Sequence, residues 1–263
     1  MAKSTSSRRR RSSLVDAKQA VDLATAQSYS ENVFLFVPNL IGYTRVIMAG
    51  LSLYYMSYHP KYCTLLYGIS CLLDAVDGQA ARALGQTSKF GAVLDMVTDR
   101  CTTSCLLCYL SAAYPPYAIL FQSLIALDFS SHYMHMYSSL VTGSTSHKLV
   151  TSDVSRILWL YYNDSRTLFF FCFGNELFFV SLYLIKWTSA PSGIPLLERW
   201  TFPEILAVLC FPVFFVKNVI NVVQLWKASK ILVGVDLAER AAARAAASKK
   251  AESSEEKHPN PAS

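Results

Sequence analysis

Charged residues are scarce in this chain of 263 residues, where they make up 16% of the total. Ordinary soluble domains carry about 25% charged residues, whereas hydrophobic residues here reach 52%. The net charge of +6 is concentrated at the two ends of the chain. This composition disfavours a soluble globular protein and predicts one that is embedded in a membrane.

A disulfide pattern is also missing. The seven cysteines are odd in number and lie in apolar runs, which argues against the disulfide framework of a small secreted domain. Cys105 and Cys108 form a CxxC pair, but no histidine or second CxxC lies near them. We interpret them as small hydrophobic side chains rather than as a zinc or redox site.

No signal peptide is apparent in the first 30 residues, because RRRR at 8–11 is followed by no apolar segment. We expect residues 1–30 to be a disordered basic cytosolic tail, with insertion starting at the first internal apolar helix. Within the tail, 14–29 is compatible with a weak amphipathic helix. Residues 31–38 mix polar and large apolar side chains, which suits a segment in the membrane interface.

Apolar stretches near the roughly 20 residues that a bilayer requires recur six times. They predict an all-α integral membrane protein, a six-transmembrane-helix bundle with an N-terminal interfacial helix. The predicted spans lie at about 39–58, 62–84, 89–113, 116–140, 167–187 and 202–226. We expect the membrane domain to cover 31–232. The C-terminal tail, 233–263, should begin as an Ala-rich helix and then become disordered.

Basic residues predict the orientation of this bundle. They crowd the side of the membrane that holds both termini, whereas the opposite side has only Lys61, Lys186 and Arg199. Because loops rich in Lys and Arg stay in the cytosol, we expect both termini to be cytosolic.

The stretch DAVDGQAARALGQTSKFGAVLDMVTD, from Asp74 to Asp99, interrupts the apolar pattern with four carboxylates. Asp74 and Asp77 are three residues apart and Asp95 and Asp99 are four apart, so each pair lies on one face of a helix. The GQTSK segment predicts a helical hairpin that turns near residues 86 and 87. This register levels Asp74 with Asp99 and places all four acids at one depth, submerged near the cytosolic face.

Four like charges at one place repel one another unless cations lie between them. We expect only Arg82 and Arg100 to be close enough to neutralise them, so purely structural ion pairs would leave charge unpaired. Carboxylate ligands favour Mg²⁺ or Mn²⁺ over zinc, and a pair of such ions suits a diphosphate. Arg82 is placed to bind phosphate oxygens. Gly78 and Gly91 either leave room for a ligand or allow close helix packing.

Polar residues in the other spans keep two interpretations open. Arg45 either contacts phosphate or extends its side chain to the interface. Asp128, His132 and His135 in the fourth span either line a polyol pocket, because a polyol needs several hydrogen-bonding partners, or form a polar helix-packing cluster.

The roles of five further polar residues are also not decided by the sequence. His147 and Lys148 either cover the site or belong to a solvated loop. Asn175 and Glu176 in the fifth span need partners that the sequence does not identify. We expect Lys217 in the sixth span to pair or to extend to the interface rather than to catalyse.

The acidic stretch matches the pattern Asp-x2-Asp-Gly-x2-Ala-Arg-x8-Gly-x3-Asp-x3-Asp at every position, and it thereby resembles the signature of the CDP-alcohol phosphatidyltransferases. The matching residues are Asp74, Asp77, Gly78, Ala81, Arg82, Gly91, Asp95 and Asp99. PNLIGYTRV at 38–46, SHYMHMYSSLVTGSTSHK at 131–148 and FGNELFF at 173–179 resemble the inositol-using eukaryotic branch of this family. The resemblance covers about residues 31–232.

This resemblance implies a membrane enzyme, typically a homodimer, that binds CDP-diacylglycerol and two ions, Mg²⁺ or Mn²⁺. A hydroxyl of myo-inositol would attack the diacylglycerol-linked phosphate, giving phosphatidylinositol and CMP. It also implies an endoplasmic reticulum membrane location with a cytosolic active site. The implied roles are metal ligand for Asp74, Asp77, Asp95 and Asp99, general base for Asp99, and CDP-diacylglycerol contact for Gly78, Arg82 and Ser88. Spacing alone does not separate the ligand and base roles of Asp99.

Two other functions compete with this one. The same motif would serve another acceptor, such as glycerol phosphate, serine or choline. A phosphorylated acceptor would need a cationic cluster, whereas the fourth span carries Asp128 and histidines, which favours an uncharged polyol. A cation transporter or channel would also use acidic residues, but the chain shows no internal repeat and its acids lie on one hairpin. No nucleic-acid partner is expected.

Overall fold

The computed structural model describes residues 20–22, 31–142, 164–193 and 199–257. Regular structure in these ranges is helical, apart from an isolated bridge between Pro191 and Thr201. Six long helices each lie where a span was predicted, so the all-α prediction is confirmed. In chain order they are α1 (Val37–Tyr55), α2 (Pro60–Ala83), α3 (Lys89–Ala113), α4 (Ala118–Thr142), α5 (Ser165–Ile185) and α6 (Phe202–Lys257).

Two of the described helices are long and apolar enough to cross a membrane by length and composition. These segments are Arg166–Ile185 in α5 and Phe202–Ser248 in α6. They support the expected membrane embedding, and six crossings remain a prediction.

The C-terminal tail begins as the Ala-rich helix that was predicted, and α6 continues to Lys257. Residues 258–263 lie outside the described part of the chain, so the predicted disorder there stays a prediction. From residue 235 to 257 the chain has no Gly or Pro and is rich in Ala, Arg, Lys and Glu, all strong helix formers. At the other end, the three residues Val33–Leu35 form a 3-10 turn ahead of α1. Ala20–Asp22 is helical, and the rest of the predicted N-terminal tail lies outside the described residues.

The hairpin between α2 and α3 is built by local sequence. Gly85 adopts a φ of +65°, a conformation that glycine reaches without steric cost. It allows Gln86 N to donate to Ala81 O at 2.9 Å, which closes the end of α2. Ser88 then caps α3, its Oγ accepting from Gly91 N at 2.9 Å. The turn therefore lies where the sequence predicted it.

Helix α1 packs against both arms of this hairpin. Its first backbone N–H group, at Val37, donates to Gln86 Oε1 in the turn at 2.9 Å. Further along, a Cβ added at Gly42 would lie 3.0 Å from Leu94 Cδ2 of α3. Contacts of this kind hold the start of α1 against the turn and the first half of α3.

The chain divides into two compact units. The first comprises residues 1–122 and 176–210, and the second comprises 123–175 and 211–263. In the first unit, Leu106 and Leu110 of α3 and Tyr183 of α5 are at most 1% exposed. These side chains form a core on the side of the hairpin away from its turn.

The second unit has a core around Ile220 of α6, with Phe171, Val216 and Val223 packed against it. Just before this unit's part of α5 begins, Asp164 accepts hydrogen bonds from Thr167 Oγ1 at 2.7 Å and Thr167 N at 3.2 Å. These bonds to Thr167 stabilise the carboxylate and lower the pKa of Asp164 from its ordinary value.

Candidate active site

The four aspartates of the hairpin converge on one guanidinium, that of Arg45 in α1. Arg45 Nη1 donates to Asp77 Oδ2 and to Asp95 Oδ1, both at 2.6 Å. Its Nη2 lies 2.6 Å from Asp74 Oδ1 and 2.5 Å from Asp99 Oδ1. Each nitrogen thus binds one acid from α2 and one from α3, so Asp74 does lie level with Asp99.

Of the two interpretations of Arg45 from the sequence, extension to the interface is wrong, because the residue is 2% exposed and bonds to the four acids. A contact between Arg45 and phosphate stays a prediction. The expectation that only Arg82 and Arg100 approach the acids is wrong too, although Arg100 Nη2 does lie 3.5 Å from Asp99 Oδ2. The available signal was that a charge within an apolar span needs a partner.

The acid cluster fits a divalent cation. Arg45 contacts all four carboxylates and Arg100 contacts that of Asp99, so two negative charges remain when all four acids are ionised. Asp74, Asp95 and Asp99 offer oxygens that all lie within 4.8 Å of one another. The carboxylates of Asp74 and Asp95 are 42% and 47% exposed, which leaves oxygens open to a ligand. Carboxylate oxygens are the donors that Mg²⁺ and Mn²⁺ prefer.

Asp77 differs from the other three acids. Its carboxylate is 11% exposed and faces Arg45, and it stands outside the group of three whose oxygens are close enough to share one ion. Its role as a metal ligand stays a prediction.

A cavity of about 220 Å³ adjoins the cluster on the side of the turn. Its wall includes two of the acids, Asp77 and Asp95. The three residues predicted to contact CDP-diacylglycerol, Gly78, Arg82 and Ser88, all line the same cavity. The hairpin therefore brings the acids and these three residues to one place.

The two glycines have different surroundings. A Cβ at Gly91 would lie 2.6 Å from Asn39 Oδ1 and 3.0 Å from Ser88 Oγ, so α1 approaches α3 closely there. A Cβ at Gly78 would be 3.6 Å from Arg82 Nη1, an ordinary contact. Close packing therefore explains Gly91, and both glycines also border the cavity.

Asn39 is a site residue whose role the sequence did not reveal. It is 1% exposed, lines the cavity and donates from Nδ2 to Val33 O at 2.6 Å. The available signals were its position just after Pro38 and its place in the PNLIGYTRV stretch that carries the resemblance.

Glu176 of α5 has partners that the sequence could not name. Its carboxylate accepts hydrogen bonds from Tyr67 Oη of α2 and from Thr103 Oγ1 of α3, both at 2.7 Å. A fifth acid is therefore bonded to both arms of the hairpin.

The second unit holds a polar cluster of its own. Lys217 Nζ donates to Asn221 Oδ1 at 2.6 Å, which confirms that this lysine pairs. Asn221 Nδ2 donates to Asp128 Oδ1 at 3.4 Å, and His132 Nδ1 lies 3.5 Å from the same oxygen. His135 contributes its carbonyl to Ser138 Oγ at 2.9 Å. Whether this cluster binds a polyol remains a prediction.

Asn175 of α5 has a polar neighbour on α6. Asn218 Nδ2 lies 3.4 Å from Asn175 Oδ1, at the outer limit for a hydrogen bond. His147 and Lys148 lie outside the described residues.

The family model for CDP-alcohol phosphatidyltransferases matches residues 35–190. The chain belongs to the CDP-alcohol phosphatidyltransferase family. Proteins of this family are membrane-embedded and metal-dependent, and in this chain Asp74, Asp95 and Asp99 form a group of carboxylates that could hold a metal.

Several relatives within the CDP-alcohol phosphatidyltransferases are similar to this chain over most of its length. Three are called CDP-diacylglycerol--inositol 3-phosphatidyltransferase. The one from Schizosaccharomyces pombe is 54% identical over 81% of this chain and 95% of its own length. Those from Saccharomyces cerevisiae and Homo sapiens are 46% and 42% identical, over 79% and 80% of this chain and 90% and 97% of their own. No solved structure matches significantly.

Proposed function

We propose that the chain transfers the phosphatidyl group of CDP-diacylglycerol to myo-inositol, giving phosphatidylinositol and CMP. The observation that carries the proposal is the acid cluster beside the cavity that Gly78, Arg82 and Ser88 line. The names of the relatives supply the acceptor alcohol.

The cavity is suited to the CDP end of the lipid. Arg82 supplies a guanidinium, which binds phosphate oxygens through two parallel N–H groups. Ser88 Oγ accepts from Gly91 N, and its own O–H can still donate to an oxygen of the nucleotide. Asp77 and Asp95 line the same wall, so a diphosphate bound in the cavity would lie beside the acid cluster.

We propose that two ions, Mg²⁺ or Mn²⁺, would be held by Asp74, Asp95 and Asp99, with Asp77 as a further ligand. These ions would neutralise the negative charge of the phosphate oxygens and of the leaving group. The role of Arg45 is different. By bonding to all four acids, it holds the two pairs together and offsets one of their charges before any ion arrives.

In the transfer step, a hydroxyl oxygen of myo-inositol forms a bond to the phosphorus that carries the diacylglycerol ester. The bond from this phosphorus to the oxygen shared with CMP breaks, and its electron pair leaves with CMP. We assign the hydroxyl proton to Asp99 Oδ2, because Oδ1 already accepts from Arg45 Nη2 at 2.5 Å. Oδ2 has Arg100 Nη2 at 3.5 Å, a longer contact that leaves it more available as a base.

We place this chemistry at a membrane surface. Helices α1 to α4 contain 19 to 25 residues, a length that spans a bilayer, and we propose that all six helices cross it. Tyr54, Tyr58 and Tyr62, all exposed, lie at the end of α1 and α2 away from the hairpin turn, as is typical of rings at a membrane interface. The turn would then face the cytosol.

The remaining parts of the proposal concern the wider setting. The enzyme domain covers residues 31–232, and the chain acts as a homodimer in the endoplasmic reticulum membrane. A cytosolic site meets a lipid tail in the bilayer and a water-soluble polyol at the same surface, which is what this reaction requires.

The test uses purified full-length protein with CDP-diacylglycerol, radiolabelled myo-inositol and Mg²⁺ or Mn²⁺. We expect a radiolabelled lipid and an equal amount of CMP, and neither product in excess EDTA. Serine, choline and glycerol phosphate are tested in parallel. Lipid product with one of these and none with inositol would replace the proposed acceptor, and no CMP with any alcohol would remove the proposed reaction.

A further inference from the structure

We propose that Glu176 is a positioning residue that sets the spacing of the acid cluster, acting through Tyr67 and Thr103. The inference rests on the proposed function, because it treats the cluster as the cation site of the reaction. It adds a residue outside the acidic stretch, on a helix distant in sequence from α2 and α3.

The positions of Tyr67 and Thr103 relative to the acids follow from helical periodicity. Tyr67 precedes Asp74 on α2 by seven residues, about two turns or 10 Å, so both lie on one face. Thr103 follows Asp99 on α3 by four residues, about one turn or 6 Å, again on the same face. Because the two helices run antiparallel from the turn, Tyr67 and Thr103 lie on the same side of the acid layer, away from the turn.

Glu176 joins these two positions. One oxygen, Oε2, accepts from Tyr67 Oη at 2.7 Å, and the other, Oε1, accepts from Thr103 Oγ1 at 2.7 Å. Tyr67 is 3% exposed and Thr103 is 6% exposed, so the two bonds lie in the interior of the first unit. A carboxylate that accepts in two directions fixes the distance between its donors, and here each donor belongs to a different arm of the hairpin.

The restraint within the acid layer itself is of a different kind. There the two arms are joined through Arg45, whose four bonds all converge on a single side chain. A cation that competes for the same oxygens would loosen those bonds, whereas the Glu176 bonds lie outside the layer and do not involve its oxygens. Glu176 therefore keeps the arms at a fixed separation whether or not a cation is present.

The consequence concerns cation affinity. Ligands that are already at the right separation do not have to be ordered when the ion binds. Groups that hydrogen-bond to the ligands of a metal typically change its affinity by about 10- to 100-fold when they are lost, and because Glu176 acts one residue further away we expect the lower limit of about tenfold. Glu176→Ala should raise the half-saturating cation concentration by that factor.

The experiment measures the melting temperature of the purified full-length protein against MnCl₂ concentration, starting from EDTA-treated samples. We expect Glu176→Ala to shift the half-saturating Mn²⁺ concentration upward by about tenfold. Glu176→Gln keeps an acceptor for Tyr67 and a polar contact for Thr103, so it should stay within about threefold of the original chain. If Glu176→Gln shifted as far as Glu176→Ala, charge and not positioning would be responsible, and the proposal would be wrong.

Tyr183→Phe is the matched control on the same helix. It removes a buried inter-helix hydrogen bond of similar length, from Tyr183 Oη to Met56 O at 2.8 Å, at a position seven residues along α5 from Glu176. It should lower the melting temperature without moving the half-saturating concentration. A similar shift in the control would mean that Glu176 acts only through stability.

A second pair of variants serves if Glu176→Ala does not fold. Thr103→Val removes one of the two hydroxyl donors and should raise the half-saturating Mn²⁺ concentration, whereas Thr103→Ser should not. Equal values for both would overturn the role of Glu176. An original chain whose melting temperature ignores Mn²⁺ altogether would instead remove the cation site of the proposed function, and the inference with it.

Discussion

Replacing Arg45 by Met tests the centre of the site, because this side chain bonds to all four carboxylates. Removing one partner from a buried ion-pair network costs about 3–5 kcal/mol. Here the carboxylates of Asp74 and Asp95 are 42% and 47% exposed, so solvent screens their ion pairs with Arg45 and these pairs contribute little to the loss. The loss rests mainly on Asp77 and Asp99, at 11% and 30% exposed, and we expect the lower limit of about 3 kcal/mol.

The assay is thermal melting of purified protein, first in EDTA. A loss of about 3 kcal/mol in a chain of this size lowers the melting temperature by about 6–12 °C. Adding Mg²⁺ or Mn²⁺ should then raise the melting temperature of Arg45→Met by more than that of the original chain, because the cation relieves repulsion that Arg45 no longer offsets. Bound at 100 times its dissociation constant, such a cation contributes about 2.7 kcal/mol.

Arg82→Met is the control for stability. It removes the same charge from an exposed arginine in the cavity wall, and we expect the free energy of unfolding to change by at most about 0.5 kcal/mol. A melting temperature of Arg45→Met in EDTA within about 2 °C of the original chain would refute the reasoning. The same conclusion would follow if the cation raised the melting temperatures of Arg45→Met and of the original chain by equal amounts.

Three further substitutions have specific expected outcomes. Gly91→Ala should raise the KM for CDP-diacylglycerol about tenfold, because its Cβ would lie 2.6 and 3.0 Å from two oxygens. A Cβ at Gly50 has nothing within 4 Å, so Gly50→Ala should leave the KM unchanged. Equal KM values for the two variants in an initial-rate assay would contradict this prediction. Ser88→Ala removes the cap of α3 and should cost about 1 kcal/mol in chemical denaturation, a loss that Ser88→Thr should avoid. Asp99→Asn should abolish CMP release while membrane insertion and dimerisation persist, and near-normal turnover would disprove its role as base.

Much of the fold follows from local sequence. Runs of about 20 apolar residues place the six helices, and Gly85 and Ser88 end one arm of the hairpin and start the next by backbone conformation and capping. These effects act over a few residues, which is why they can be read without a structure. The Ala-rich start of the C-terminal tail was predicted to be helical, but the sequence did not give the point at which the helix ends, and the high helix propensity of the segment carries α6 to Lys257.

The acid cluster was predictable for the same reason. The spacings from Asp74 to Asp99 lie within one hairpin, so helical periodicity alone brings the four carboxylates to one depth. The residues on the two sides of the cluster were not predictable. Arg45 and Glu176 are 29 and 77 residues away from the nearest of these acids, and no local rule states which apolar helices will pack against the hairpin.

The sequence by itself determined the helices, the hairpin and the convergence of four acids, because each depends on periodicity, turns and caps within a short stretch. Only the tertiary structure decided what lies against those acids. Packing of α1 puts a single guanidinium among them, and α5 bonds to both arms through Glu176. Those contacts join residues far apart in the chain, and they depend on how whole helices fit together, which side-chain spacing does not encode.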